Sequence, residues 1–256
     1  MLKAAVSPST WSAHKFLQNI FLFQLLTYNT CMSVNLPQPP KSETELISRA
    51  RKLAGLTLND IAKKFQQKIP SDSRHAKGWI GQLIEISLGA TASSLAEPDF
   101  QQIGIELKTL PLTQSGNPKE STYVCTVPLT NLHEQDWASS WFKRKLQRVL
   151  WLPIEADKRI PLAERHIGNA IIWSPGETEL MQLQQDWEEL MELVCLGKLD
   201  QITSHMGRYL QIRPKGANSK SLTTTLDEEG NTIQTLPRGF YLRPEFTQHI
   251  IHSNYA

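Results

Sequence analysis

Residues 97–112 read EPDFQQIGIELKTLPL. Asp99 precedes Glu106, and Lys108 follows it two places later. The stretch IGIELKTL alternates branched apolar residues with polar ones, so a strand is expected from about Gln102 to Thr109. On a strand, residues two apart share a face. Glu106 and Lys108 should project together, with Ile105 and Leu107 on the opposite, apolar face. A loop at Asp99 can swing its carboxylate back toward Glu106. Two carboxylates converging beside an ammonium make a hard, oxygen-rich site suited to Mg²⁺. There the metal lowers the pKa of a bound water and neutralises charge growing on a phosphate. Lys108 can orient that water or stabilise the transition state. Among the 25 acids of the chain, only Glu106 is followed two places later by lysine. The plain alternative is a solvated strand face carrying a pair of opposite charges.

The elements around this stretch alternate and then mix. KSETELISRARKLAG reads as a helix with Ser42 and Glu45 as a capping box and Gly55 as its stop. LTLNDIAKKFQQ follows as a second helix, capped by Thr57 or Asn59. Two short helices around a glycine turn permit a DNA-reading pair, but the commoner role is a packing unit. GWIGQLIEISLGA spaces Ile80, Ile84 and Leu88 for one buried stripe, with Glu85 beside it and Gly89 at the end. STYVCTVPL reads as a strand pairing with the first one around the TQSGNP turn. WFKRKLQRVLWLPIE looks like a basic helix running into a strand, AIIWSP like a further strand, and ETELMQLQQDWEELMELVCLG like a long amphipathic helix. RYLQIRPK and RGFYLRPEF are basic, aromatic-bearing strands or strand ends. The fold class expected is α/β with α+β mixing, on a mixed central sheet flanked by helices.

The totals agree with such a domain. The 256 residues are 40% hydrophobic and 20% charged, with a net charge of only +2, so nucleic acid would have to be met by local basic patches. Cys31, Cys125 and Cys195 lie far apart, which argues against a disulfide framework or zinc site and fits a reducing cytoplasm. No G-x-x-x-x-G-K stretch occurs, and the histidines lack ligand spacing. His249 and His252 share a helix face but read as surface residues. The apolar run FLQNIFLFQLL is interrupted by Gln18, Asn19 and Gln24 and is too short for a membrane span. The chain restarts at Met32 with a natural-looking N-terminus, so residues 1–35 are expected to be an extension, disordered or from a mis-assigned start, ahead of one domain over 36–256.

The blocks KGWIGQLIEISLGA, PDFQQIGIELKTLPL, KLQRVLWLPIE, YLQIRPKGANSK and LPRGFYL together resemble the MutH family of strand-nicking endonucleases. The resemblance runs in order from about Pro40 to the C-terminus. It implies a restriction-endonuclease-like fold with two lobes around a DNA cleft. It also implies that Asp99 and Glu106 hold a divalent metal, that Lys108 supports the attacking water, and that Glu85 joins the acidic cluster. Lys77 and Lys145 align with family lysines, the first equally readable as a surface lysine. The family cuts the unmethylated strand at hemimethylated GATC during methyl-directed mismatch repair, activated by MutL after MutS has found the mismatch.

Sensing one methyl group on adenine N6 is a major-groove problem. The family's methyl-sensing tyrosine falls on Tyr241, which otherwise reads as a half-buried strand aromatic. Arg213 and Lys215, two apart around Pro214, are natural donors to guanine O6 and N7, and the resemblance assigns base recognition to them. Arg238 and the run Lys143, Arg144, Lys145 and Arg148 are expected at phosphates, which set affinity and salt dependence. A monomer is expected, since one site nicks one strand. The alternatives are a restriction endonuclease for GATC and a module that binds GATC without cutting.

Overall fold

A computed structural model describes residues 35–72, 76–92, 97–216 and 220–255. The extension read over residues 1–35 lies outside them except for Asn35, and so do Cys31 and His75. From Leu36 onwards the chain packs as one compact unit.

Helix α1 (Glu43–Arg51) begins where Ser42 Oγ accepts the Glu45 N–H at 3.1 Å. Glu45 reaches one residue further back and accepts the Lys41 N–H, so only half of the expected box forms. Helix α2 (Leu58–Lys64) has the complete box, Thr57 and Asp60 each satisfying the other's backbone. Both helices bury an apolar side, Leu46 and Ala50 on one and Leu58, Ile61 and Ala62 on the other. They are a packing unit: Gly55 and Leu58 donate backbone hydrogen bonds to Ile167 and Arg165.

Helix α3 (Ala76–Leu88) buries Leu83, Ile84 and Leu88 and leaves Glu85 half-buried on its flank. Gly89 closes it at φ +82°, where an added Cβ would lie 2.7 Å from the Gln38 carbonyl oxygen. A single 3₁₀ turn, Gln101–Ile103, and left-handed Gly104 then bring the chain into strand β1 (Glu106–Leu112). The strand therefore starts later than the alternation suggests, because the turn takes residues 101–104.

Strand β2 (Thr122–Thr126) does not pair with β1, contrary to the hairpin expected around TQSGNP. That segment does turn, with Gly116 at φ +78°, but only the isolated bridge Leu112–Pro118 forms there. Strand β2 crosses instead to a second sheet. Helix α4 (Trp141–Leu146) leads into β3 (Val149–Glu155), which pairs with β1 in parallel, Glu106 opposite Val149 and Lys108 opposite Trp151. A parallel pair needs a long crossover, and β2 with α4 supplies it. Strand β4 (Ile171–Trp173) completes the first sheet in the order β1-β3-β4.

After the long helix α5 (Glu177–Cys195) comes β5 (Leu210–Pro214), then the ribbon β6 (Thr223–Leu226) and β7 (Thr232–Thr235), then β8 (Arg238–Leu242) and helix α6 (Pro244–Tyr255). The second sheet runs β2-β8-β5, antiparallel throughout. One buried cluster holds Leu110, Val149 and Trp151 of the first sheet together with Val124, Ile212 and Phe240 of the second, sealed by Phe142, Trp187 and Phe246. The expected pair of lobes is not marked by any break in this core. The architecture is mixed α/β. Among the described residues no helix is long and apolar enough to cross a membrane.

Candidate active site

The N-terminal end of β1 gathers the charges read from the sequence. Glu106, its first residue, is only 2% exposed. The solvated strand face is thereby ruled out: this carboxylate lies on the side that β1 shares with Val149 and Trp151. Burying it requires partners, and two ammoniums supply them. Lys108 Nζ donates to Glu106 Oε1 at 2.7 Å, and Lys145 Nζ, from α4, donates to both carboxylate oxygens at 2.9 Å. Lys145 also reaches the Glu97 carbonyl oxygen at 3.4 Å. Burial alone would lower the Lys108 ammonium, but the adjoining Glu106 carboxylate outweighs it and the pKa is raised. Lys108 is therefore a fixed cation at neutral pH, with no lone pair to act as a base.

Asp99 does swing back, and the backbone fixes it there. Its Oδ2 accepts the Leu107 N–H at 2.8 Å. Burial, then repulsion from Glu106, pushes its carboxyl up to about 6. Glu85 responds to the same charges: burial first, then Asp99 and Glu106, raise its pKa. Three carboxylates thus repel one another across the gap between α3 and β1. Among the described residues no three His, Cys, Asp or Glu side chains converge closely enough to hold one ion together. The carboxylates that could hold a divalent cation are the pair Asp99 and Glu106, with Glu85 as a third charge acting on that pair. Hard carboxylate oxygens in mutual repulsion suit a hard cation. A cation on Glu106 takes the place of an ammonium, and Lys145 is the one brought from another element.

The remaining predicted residues divide into those on one surface and those elsewhere. In β5 and β8, Arg213 and Tyr241 project from the face opposite Ile212 and Phe240. The Arg213 guanidinium lies 5.7 Å from the Tyr241 ring centre, and Lys215 Nζ lies 3.6 Å from that of Tyr123. Tyr123 and Tyr241 face each other across β2 and β8 with ring centres 5.4 Å apart. Arg238 is at the start of β8 on the Phe240 side, so alternation places it away from Arg213 and Tyr241; its Nε is buried with no hydrogen-bond partner among the described residues. Lys77 is exposed at the start of α3 and pairs with Glu120 at 2.7 Å.

The basic run of α4 is not one phosphate-facing patch. Lys145 turns to Glu106, while Arg148 makes a two-pronged pair with Glu43 at 2.7 and 2.8 Å. Lys143 and Arg144 lie over Trp137 and Trp141. His249 lies 3.7 Å from Glu179 and joins no cluster of metal ligands.

Sequence reasoning missed Glu120, Ser121 and Tyr123. A cleft joins them to Lys77, Glu85 and Lys108. Tyr123 could have been found from STYVCT, where it stands alone as an aromatic in an otherwise small, apolar strand.

Comparison with known proteins places the chain among its relatives. The family described as DNA mismatch repair enzyme MutH matches residues 88–186, a span containing Asp99, Glu106, Lys108 and Lys145. The DNA mismatch repair protein MutH of Histophilus somni is 51% identical over 214 residues, covering 84% of this chain and 96% of the relative. That of Shewanella baltica is 50% identical over the same shares. The MutH protein of Serratia proteamaculans is 50% identical over 83% of this chain and 93% of its own length. With half the residues identical across nearly the whole of each relative, the chain belongs to the MutH family.

Proposed function

We propose that this protein is a DNA endonuclease of mismatch repair that nicks the unmethylated strand at hemimethylated GATC sites. The observation that carries the reading is the buried Glu106 carboxylate, held between Lys108 and Lys145 with Asp99 repelled beside it. A fold has no structural need for such a cluster, since buried ion groups bring little stability of their own. Its chemistry suits phosphodiester hydrolysis. Asp99 and Glu106 would hold Mg²⁺, which supplies charge neutralisation at the phosphate and an acidified water. Lys108, a permanent ammonium, orients the attacking water and stabilises the added negative charge. Lys145 carries a second positive charge that can pass from Glu106 to the phosphate. Glu85 adds negative potential that favours the cation over the proton.

The sheet face bearing Arg213, Lys215 and Tyr241 suits major-groove reading, with donors for guanine and a phenol for the adenine amino group. Membership of the MutH family supports activation by MutL, with MutS acting upstream, and one site nicking one strand fits a monomer.

The test is incubation of the protein with Mg²⁺ and plasmids carrying one GATC in unmethylated, hemimethylated and fully methylated form, with and without MutL. Nicks in the unmethylated strand only, with fully methylated DNA spared, support repair. Rapid double-strand breaks without MutL support restriction, and GATC binding without any nick supports a binding module. Glu106→Ala should abolish nicking and leave DNA binding nearly intact. A variant keeping more than roughly a hundredth of the activity contradicts the metal assignment, because an essential charge-stabilising group is worth about 10²-fold or more.

A further inference from the structure

The side chains placed at the DNA come from separate elements: Lys77 from α3, Arg213 and Lys215 from β5 and its end, Tyr241 from β8. One short run touches all of them. Glu120 holds Lys77 at 2.7 Å. Ser121 Oγ accepts a hydrogen bond from Arg213 Nη1 at 2.9 Å. The Tyr123 ring lies 3.6 Å from the Lys215 ammonium and packs edge-on against Tyr241. The same run borders the cleft that contains Glu85 and Lys108. It therefore links the reading face to the acidic centre through a single stretch of backbone.

Ser121 is the decisive member. Only 9% of it is exposed, so its hydroxyl is fixed by the start of β2, whereas Arg213 is exposed. A free arginine side chain loses rotamer entropy when it is ordered. A hydroxyl already bonded to the guanidinium removes part of that cost before DNA arrives. A serine serving only the fold would pair with nearby backbone; this one pairs with a guanidinium 92 positions away.

We propose that Ser121–Tyr123 is a positioning segment for the DNA-reading side chains, with Ser121 setting the orientation of Arg213 that decides sequence discrimination. The proposal rests on the endonuclease reading above. Ser121 acts through Arg213 and does not itself meet the DNA.

The experiment compares wild type, Ser121→Ala and Ser121→Thr in the full chain. Binding to a GATC duplex and to a duplex with one altered base pair is measured in EDTA, and the KM for nicking with Mg²⁺ and MutL. Ser121→Ala should lose about tenfold of the binding ratio, through the GATC duplex, with KM rising in step, since one well-aimed base contact is worth about that much or more. Ser121→Thr, which keeps the hydroxyl, should restore the ratio. An alanine variant with the wild-type ratio, or one that binds both duplexes equally more weakly and melts earlier, overturns the positioning role. A threonine variant that behaves like alanine also overturns it. Should Ser121→Ala not fold, Tyr123→Leu takes its place: the ratio falls if the segment positions, and an unchanged ratio refutes it. A wild type that makes no nick with Mg²⁺ and MutL refutes the endonuclease reading itself, which separates the two failures.

Discussion

Asp99 shows how a buried cluster of carboxylates costs the fold stability. Its carboxyl titrates near 6 in the folded protein, against 3.8 as the ordinary value, so the folded state binds the extra proton between those limits. Stability must then fall as pH rises from about 4 to about 6, and the full penalty remains above that range. The shift corresponds to about 3 kcal/mol at most, at about 1.4 kcal/mol per pKa unit. Asp99→Asn keeps an oxygen for the Leu107 N–H but carries no charge. In EDTA, it should match wild type in urea unfolding near pH 3.5 and exceed it by about 2–3 kcal/mol at pH 7.5, while losing all nicking. A variant no more stable than wild type at pH 7.5 would show that Asp99 is not strained by its neighbours. The same proton competes with a cation, so nicking by wild type should weaken as pH falls through 6.

Strand β5, which carries Arg213, depends on a clamp outside both sheets. Asp186, on α5 and 1% exposed, accepts the N–H groups of Arg208, Tyr209 and Leu210 at 3.0, 2.6 and 2.9 Å. Arg243, after β8, donates to the carbonyls of Ser204, Met206 and Gly207. The loop entering β5 is thus held by an anion on its donors and a cation on its acceptors. Asp186→Ala strands buried N–H groups and should cost roughly 3 kcal/mol or more in urea unfolding; a cost below about 1 kcal/mol would mean the loop holds itself. This clamp shows what could and could not be read in the sequence. Asp186 falls among Leu183, Trp187 and Leu190 on the buried stripe of a helix, and an acid in that position is a visible anomaly. Its partners are not visible, because backbone N–H groups carry no sequence signal. Strand β1 was legible from alternation and branched residues; β3 and β4 were read as strands, and β5 and β8 as basic, aromatic-bearing strands or strand ends. The pairing of β2 was not: a turn-forming TQSGNP predicts a hairpin locally, and only the shared core explains why β2 joins β8. Lys108 and Glu106 were legible as a pair two residues apart, whereas Lys145 meets Glu106 across 39 positions.

The molecule as a whole carries a net charge of only +2, and its structure pairs several of the cations near the cleft or on the surface with carboxylates. Lys77 is paired with Glu120, Lys145 with Glu106, Arg148 with Glu43 and Arg159 with Asp157. DNA must compete with these carboxylates for the cations, so few phosphates gain a full counter-charge. The affinity should therefore respond weakly to salt. Each phosphate neutralised contributes about −0.9 to the slope of log K against log salt, and two to four such contacts give a slope of about −2 to −4. Fluorescence anisotropy with a GATC duplex between about 50 and 200 mM KCl, in EDTA, measures it. Glu120→Gln frees Lys77 and removes a negative charge from the cleft, which should strengthen binding several-fold at the low-salt end and steepen the slope by about one. A wild-type slope near −8, or a Glu120→Gln variant with unchanged salt response, would mean that the DNA follows a different basic surface. Weak non-specific attraction would also serve the proposed strand-selective nick, since base contacts would then decide where the enzyme settles.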